Sequence, residues 1–263
     1  MSGAAISEAP SAAVLAQQLA RLERRFDAVV KAVIPIGVAL LGARDFHALL
    51  DKILLEAKAL CHADGGTLYL RTDDDALRFV IMRNDSLGIA LGGAAGGDLP
   101  FAPLPLHDAA SGAPNERNIA TWAALHAESV NIADAYDAAG FEFSGTIAFD
   151  RQTGYRSRSF LTVPLKNVHQ KVIGVLQLLN AQDPDTGAVV PFDAGLVPIV
   201  EALSMLAAAA LEVYVREDRL RSEIRDLHVQ IDEVKRARQV AEITDTDYFQ
   251  NLKRKVRDLR ERD

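Results

Sequence analysis

The chain has a single cysteine, Cys61, among its 263 residues. One cysteine cannot form an intramolecular disulfide, so the composition excludes a disulfide-stabilised scaffold and fits a reducing compartment. Residues 1–10 contain no basic stretch followed by an apolar one, and they do not resemble a secretion signal. We read no apolar run close to the roughly 20 residues that a membrane-spanning helix needs. The sequence therefore predicts a cytoplasmic protein without a membrane contact.

The sequence motifs of several chemistries are also missing. There is no Walker-type phosphate loop, no nucleophile elbow, and no pair of cysteines or histidines at zinc spacing. The net charge of -7 gives no general attraction to nucleic acid. These absences argue against an enzyme, so we predict a non-catalytic protein with no metal, no permanent cofactor and no nucleic-acid partner.

Apolar residues recur in alternating steps of four and three near both ends of the chain. The N-terminal series is Leu15, Leu19, Leu22, Phe26, Val29, Val33 and Ile36, and the C-terminal series is Val213, Leu220, Ile224, Leu227, Ile231 and Val234. This spacing is typical of a coiled coil, which needs a partner helix to cover its apolar seam. We therefore predict a homodimer that is held together through its N- and C-terminal helices.

The composition divides the chain into five segments. Residues 1–10 are small and polar and are predicted to be disordered, and 11–43 to form a signalling and dimerisation helix. A globular domain is predicted over 44–212, a coiled coil over 213–243, and a short final helix over 244–263.

The globular segment combines helical and strand patterns. Helices are predicted over Arg44–His62 and Asn118–Glu128, and strands over Thr67–Leu70, Ala76–Met82, Phe160–Leu165 and Val172–Leu179. We expect Ala63-Asp-Gly-Gly66 to be a turn and Asp134–Gly154 to be irregular. The predicted class is α+β, with a central antiparallel sheet that has helices on one face and loops on the other.

Several polar residues in this segment have both a functional and a structural interpretation. Asn118 would cap the helix after it and could leave the amides of Ile119 and Ala120 free for a phosphate, or it could simply be a cap. Gln177 lies in a strand between Val175 and Leu179, so its amide needs a partner, which could be a ligand or a backbone group. Thr67, on the first strand, has the same two interpretations.

Five blocks carry a resemblance to a known family. They are Asn118–Leu125, Asn131–Tyr136, Asp150–Ser157, Leu161–Lys166 and Val172–Asn180. Their order and spacing resemble a GAF domain of the GAF/PAS-like fold, and most closely the cyclic-nucleotide-binding GAF domains of phosphodiesterases and bacterial adenylyl cyclases. The resemblance implies a sheet whose loops cover a small ligand.

The resemblance also implies roles for individual residues. Asn118, Ile119 and Ala120 match the helix start that contacts the phosphate in such domains. A later stretch of such domains supplies polar contacts from an acid and two hydroxyls. The matching residues here are Asp150, Thr153 and Ser157. Thr67 and Gln177 occupy the two strand positions that typically complete the ligand site.

The sequence departs from the family signature beyond the last strand. Asn180 and Phe192 are retained, but Ala181 stands in place of the usual lysine, and Leu196 and Val197 in place of the usual Asp-Glu pair. Loss of both members of an ion pair leaves no unpaired buried charge, so the fold should survive. The departure bears on cyclic-nucleotide binding rather than on the fold.

We therefore hypothesise a signal-transduction sensor that binds cAMP or cGMP and relays the signal through a dimeric coiled coil. The output would go to a separate cyclase, phosphodiesterase or kinase. The alternative is a dimerisation or docking module with an empty or vestigial pocket. Trp122 has two interpretations as well, as a core residue or as a wall of the pocket.

The heptad spacing predicts that the protein is a dimer at micromolar concentration, because an isolated helix with a continuous apolar seam is poorly soluble. Light scattering coupled to gel filtration would measure twice the chain mass. A monomer at that concentration would contradict both hypotheses.

Overall fold

The computed structural model describes residues 45–95 and 99–213, together with Leu19 and Arg216. The predicted disorder over 1–10, the helix over 11–43, the coiled coil over 213–243 and the last helix thus lie almost wholly outside the described residues. The chain divides into two units, Met1–Glu212 and Val213–Asp263, and the fold below is that of the first.

Within the described residues, eight strands form one sheet. They are β1 (Ala63–Arg71), β2 (Ala76–Asn84), β3 (Ile89–Gly92), β4 (Leu104–Pro105), β5 (Val130–Ile132), β6 (Phe160–Lys166), β7 (Val172–Gln182) and β8 (Val189–Val190). The order is β3-β2-β1-β7-β6-β5, with β4 paired to β2 and β8 to β7, and all the pairs are antiparallel. The predicted antiparallel sheet is confirmed.

The helices are α1 (Phe46–Cys61), α2 (Ile119–His126), α3 (Ser144–Thr153) and α4 (197–213), with 3-10 turns at Gly93–Ala95 and Ala194–Leu196. Asp45 caps α1 by accepting a hydrogen bond from the His47 N–H. The helix ends at His62, whose φ of 49° reverses the chain. These two residues set the bounds of α1 close to those predicted from its apolar spacing.

Alternation along β7 gives the sheet two different faces. Leu176 and Leu178 point toward α1 and α4, where they share one buried cluster with Leu54 and Leu203. Val175, one residue away, instead packs against α2 in a second cluster. The α+β class and the helix-covered face are thus confirmed, and the opposite face carries the long loops together with the short helices α2 and α3.

Two local predictions were wrong. Ala63-Asp-Gly-Gly66 is the first part of β1 rather than a turn, because His62 alone reverses the chain. Gly66 serves packing instead, since a Cβ at this position would lie 2.7 Å from Leu54 Cδ1 of α1. The segment expected to be irregular contains α3, whose few apolar side chains do not repeat at a helical period. Gly154, with a φ of 70°, ends this helix.

One apolar run was not recognised from the sequence. Among the described residues, one helix, Ala194–Val213, is long and apolar enough to cross a membrane. Its only charged residues are Glu201 and Glu212. The inner side chains of α4, including Val200, Leu203 and Leu211, are buried against the sheet. This inner face is that of a core helix, and a core helix can be as long and as apolar as a membrane-spanning one.

Gly174 provides a test of the strand packing. A Cβ at this position would lie 2.4 Å from the Tyr69 carbonyl oxygen of β1, which is backbone and cannot move aside. We expect Gly174→Ala to lower the free energy of unfolding by about 2 kcal/mol or more in urea denaturation. Gly145→Ala is the matched control, since its Cβ would meet nothing within 4 Å. That variant should be neutral or up to about 1 kcal/mol more stable, because alanine favours a helix over glycine. Equal effects of the two changes would contradict the packing of β1 against β7.

Candidate functional site

A cavity of about 320 Å³ lies on the loop-covered face of the sheet, between the strands and α2 and α3. Five phenylalanines line it, namely Phe79, Phe101, Phe143, Phe149 and Phe160. Phe143 and Phe160 pack against each other with ring centroids 5.5 Å apart. The cavity is thus largely apolar, and its polar groups come from the strands, from loops and from α3.

A polar row, called here the polar floor, runs straight across three strands, and two of its residues, Thr67 and Gln177, line the cavity. Thr67 in β1, Gln177 in β7 and Thr162 in β6 are direct partners in the register of the sheet. The Gln177 side chain accepts a hydrogen bond from the Tyr69 hydroxyl at 3.1 Å and donates one to Thr162 Oγ1 at 3.1 Å. The partners of Gln177 are therefore neighbouring side chains, an option that lay outside the two considered from the sequence.

Burial keeps Tyr69 in its protonated form. Desolvation raises the pKa of Tyr69 well above its usual value, and a hydrogen bond with Thr67 partly opposes the rise. The Tyr69 hydroxyl therefore remains a donor to Gln177. Thr67, Tyr69 and Gln177 all line the cavity, so this hydrogen-bonded chain is within reach of a molecule inside it.

The start of α2 forms one end of the cavity, through Asn118 and Ile119. Asn118 has an extended backbone, and its Oδ1 accepts hydrogen bonds from the Ala120 amide at 2.9 Å and the Thr121 amide at 3.3 Å. The expectation of a free Ala120 amide was therefore wrong, because the asparagine cap itself binds it. The Ala120 side chain is buried beside Tyr69 and Val175 and does not line the cavity.

Asp150 is buried behind the cavity wall. Its Oδ2 accepts hydrogen bonds from the Ser157 amide at 2.8 Å and the Tyr136 hydroxyl at 2.7 Å, and its Oδ1 accepts one from Ser157 Oγ at 2.8 Å. The bond to Asp150 raises the pKa of Tyr136. Asp150 does not line the cavity, whereas Ser157 does. The carboxylate thus positions a cavity residue.

Thr153 lies in the last turn of α3. It is exposed, and its hydroxyl donates a hydrogen bond to the Phe149 carbonyl at 2.9 Å. Of the eight residues predicted for the site, the cavity brings together Thr67, Asn118, Ile119, Ser157 and Gln177. Ala120, Asp150 and Thr153 lie outside its lining.

Asn180, at the end of β7, holds the loop that follows α3. Its Oδ1 accepts hydrogen bonds from the amides of Arg158 at 2.7 Å and Ser159 at 3.2 Å. Its Nδ2 donates to the Arg156 carbonyl at 2.8 Å and to the Tyr155 hydroxyl at 2.9 Å. Tyr155 in turn donates to the buried carboxylate of Asp64 at the start of β1. Together these bonds attach the loop to the sheet on both sides of Ser157.

The region of the missing family ion pair is filled by apolar packing. Ala181 and Phe192 are 4% exposed, and Leu196 and Val197 pack against the same cluster. Because the alanine at position 181 is uncharged, it needs no ionic partner. The expectation that the fold tolerates the loss of both charges agrees with this packing.

Sequence reasoning missed the phenylalanine walls. Phe79 and Phe160 could have been predicted as cavity residues, because both lie on the face of the sheet that carries the polar floor. Phe101, Phe143 and Phe149 come from loops and from α3, and no periodic pattern marks them. Trp122 stacks on His126 with ring centroids 4.4 Å apart and does not line the cavity, which favours the core interpretation.

The described residues offer little for other chemistry. No group of three or more His, Cys, Asp or Glu side chains that could hold a metal occurs between 45 and 95 or between 99 and 213. Cys61 is 4% exposed, and burial, with a smaller effect of Asp193, raises the pKa of its thiol to about 12. The thiol therefore stays protonated and is a packing residue of α1.

The family model of the GAF domain matches residues 45–211 of this chain. Among curated proteins, the dual 3',5'-cyclic-AMP and -GMP phosphodiesterase 11A of Takifugu rubripes is 41% identical over 64 residues, which are 24% of this chain and 7% of the relative. The cGMP-specific 3',5'-cyclic phosphodiesterase of Drosophila melanogaster is 27% identical over 143 residues, which are 52% of this chain and 11% of the relative. The matches thus span a small part of the length of each relative.

Two solved structures share the fold. The GAF domain of an Acinetobacter phosphoenolpyruvate-protein phosphotransferase superimposes with a TM-score of 0.52 at 16% identity, covering 74% of this chain and 98% of that one. The free methionine-R-sulfoxide reductase of Neisseria meningitidis gives 0.50 at 16% identity, covering 72% and 91%. At these identities the likeness shows the fold alone.

Asp150 provides a test of how the wall is held. Asp150→Ala leaves the Ser157 amide and the Tyr136 hydroxyl without their acceptor, so we expect the free energy of unfolding to fall by about 2–3 kcal/mol. Asp150→Asn should recover most of the loss, because its amide oxygen can still accept two of the three hydrogen bonds. Asp137→Ala, at an exposed position in the same segment, is the control and should change stability by less than about 0.5 kcal/mol. Urea denaturation of the three variants decides this, and equal effects at 150 and 137 would contradict the assignment.

Proposed function

The chain belongs to the GAF domain family, and on that premise we propose that it is a non-catalytic sensor that binds a cyclic nucleotide. It is a GAF sensor domain homologous to the GAF domains of phosphodiesterases. The observation that carries the proposal is the cavity of about 320 Å³, with aromatic walls and polar groups at its floor and at one end. Small-molecule sites typically combine such an apolar enclosure with a few polar groups.

The walls suit a flat heterocycle. Phe79, Phe101 and Phe149 come from three different parts of the chain and all face the cavity. Aromatic rings favour stacked or edge-on contacts with another ring. Beside them, Gln177 donates only one of its two amide N–H groups to Thr162, which leaves one for a ligand. A purine would meet both features in one site.

The start of α2 is the end of the cavity that suits a phosphate, because the helix dipole favours negative charge there. Arg83 also borders the cavity, but its guanidinium is committed to Asp51 and to the carbonyls of Leu91 and Gly92. A phosphate would therefore depend on backbone amides. To reach the Ala120 and Thr121 amides, it would have to displace Asn118 Oδ1 from them.

One observation favours the alternative, a dimerisation or docking module with an empty pocket. Two polar side chains that were predicted to bind a ligand already have partners within the protein. Gln177 is bonded to Tyr69 and Thr162, and Asn118 to the first turn of α2. A chamber in which polar groups are already bonded is stable without an occupant.

The remaining parts of the proposal concern the setting of the domain. We propose a cytoplasmic homodimer that is joined through its N- and C-terminal helices. We also propose that the signal passes to a separate output protein, such as a cyclase, phosphodiesterase or kinase. Neither nucleic acid nor a membrane is part of the proposal.

Isothermal titration with cAMP and with cGMP tests the proposal. We expect saturable heat for at least one nucleotide, and about a tenfold loss of affinity in Phe149→Ala, since removal of one aromatic wall costs roughly 1–2 kcal/mol. Phe141→Ala is the matched control, because Phe141 is also half-buried but contacts Trp122 and does not line the cavity. It should leave the affinity within about twofold. Titrations without heat at tens of micromolar, with no thermal shift, would favour the module with an empty pocket.

A further inference from the structure

Helix α4 carries only two charged residues over 194–213, and both are tied to loops at the sheet. Glu201 accepts a hydrogen bond of 2.6 Å from Ser129 Oγ, just after α2. Glu212 accepts one of 3.1 Å from Asn167 Nδ2, in the turn between β6 and β7. These two hydrogen bonds add polar attachments to the apolar packing of α4 on the sheet.

The two contacts differ in what lies at their other end. The turn that contains Asn167 is remote from the cavity, since no residue from 161 to 176 lines it. Ser129 instead follows α2, whose first residue and cap, Ile119 and Asn118, do line the cavity. The eight residues of α2 form a rigid rod of about 12 Å between these two ends.

The C-terminal end of α2 is fixed to its surroundings by three hydrogen bonds. Lys166 Nζ donates to the Ala127 carbonyl at 3.2 Å, Ser129 donates to Glu201, and Asn131 Nδ2 donates to the Phe192 carbonyl at 3.2 Å. The last two reach α4 and the segment that leads into it. A displacement of α2 at the cavity would therefore change these contacts with α4.

We infer that the Ser129–Glu201 hydrogen bond couples the cavity to α4, so that a change at the start of α2 alters the packing of the helix from which the predicted coiled coil continues in the sequence. Ser129 and Glu201 are positioning residues and do not touch the ligand. The inference deepens the proposed sensor function and rests on it, while the coupling itself can be measured without a ligand. Coupling here means that a change at the start of α2 alters the local stability of α4 through the contacts that connect them.

Hydrogen–deuterium exchange of the full chain, read in peptides of α4, tests the coupling. Asn118→Ala removes the cap at the cavity end, which corresponds to about a fivefold change in a local opening equilibrium. We expect exchange over 197–208 to rise by about that factor in Asn118→Ala, and the rise to disappear when Ser129→Ala is added. In Asn167→Ala, the matched control for the remote tether, the rise should persist.

A second pair of variants separates coupling from simple loss of packing. Glu201→Gln keeps an acceptor for Ser129 and should retain the response of α4 to Asn118→Ala, whereas Glu201→Met should abolish it. Peptides of α1, on the same face of the sheet, report global destabilisation. Equal rises in α1 and α4, or effects of Asn118→Ala and Ser129→Ala that simply multiply, would overturn the inference.

Addition of cAMP and cGMP distinguishes this inference from the proposed function. If a nucleotide binds, its effect on exchange in α4 should vanish in Ser129→Ala while the affinity from titration stays within about twofold. Retention of that effect in Ser129→Ala would overturn the inference. If neither nucleotide binds, the proposed ligand is wrong, and the ligand-free variants still decide whether α2 and α4 are coupled.

Discussion

The buried amide of Asn180 holds the cavity wall against the sheet. It makes four hydrogen bonds, two as donor and two as acceptor, and is 2% exposed. An unmade hydrogen bond at such a site costs about 1–3 kcal/mol, so the loop around Ser157 has few alternative positions. Because Asp150 binds the same loop from the other side, the end of α3 is fixed as well. The cavity exists because these two side chains hold its wall in place.

The sheet separates stability from sensing by means of its two faces. The face toward α1 and α4 is mainly apolar, with the Arg83–Asp51 ion pair between β2 and α1. The positions where the family usually has an ion pair belong to this buried cluster or pack against it. The other face carries the polar row of Thr67, Gln177 and Thr162. Substitutions on the first face should affect mainly folding, and those on the second mainly the contents of the cavity. Helix α2 contacts the second face and, through Ser129, the helix that covers the first.

The sequence was informative wherever one element determined the answer. The apolar spacing of α1, the Asn118 cap and the strand β7 each depend on neighbours within a few residues, and each was predicted. The partners of Gln177 depend on which residues of β1 and β6 lie beside it, and register is a property of three strands together. The same reason explains why Phe101 and Phe149 were missed. Helix α3 was not predicted because it covers a cavity and has no continuous apolar stripe.

The polar floor has a consequence for how the protein could distinguish one ligand from another. A molecule that enters the cavity finds the Gln177 carbonyl oxygen bonded to Tyr69 and one of the two Gln177 amide N–H groups bonded to Thr162. At these groups it gains only the difference between its own hydrogen bonds and those that it replaces. The phenylalanine walls must then supply most of the affinity, and they distinguish shapes better than they distinguish donors from acceptors. Under the proposed function, discrimination between ligands would then rest mainly on how well the shape of each fits these aromatic walls.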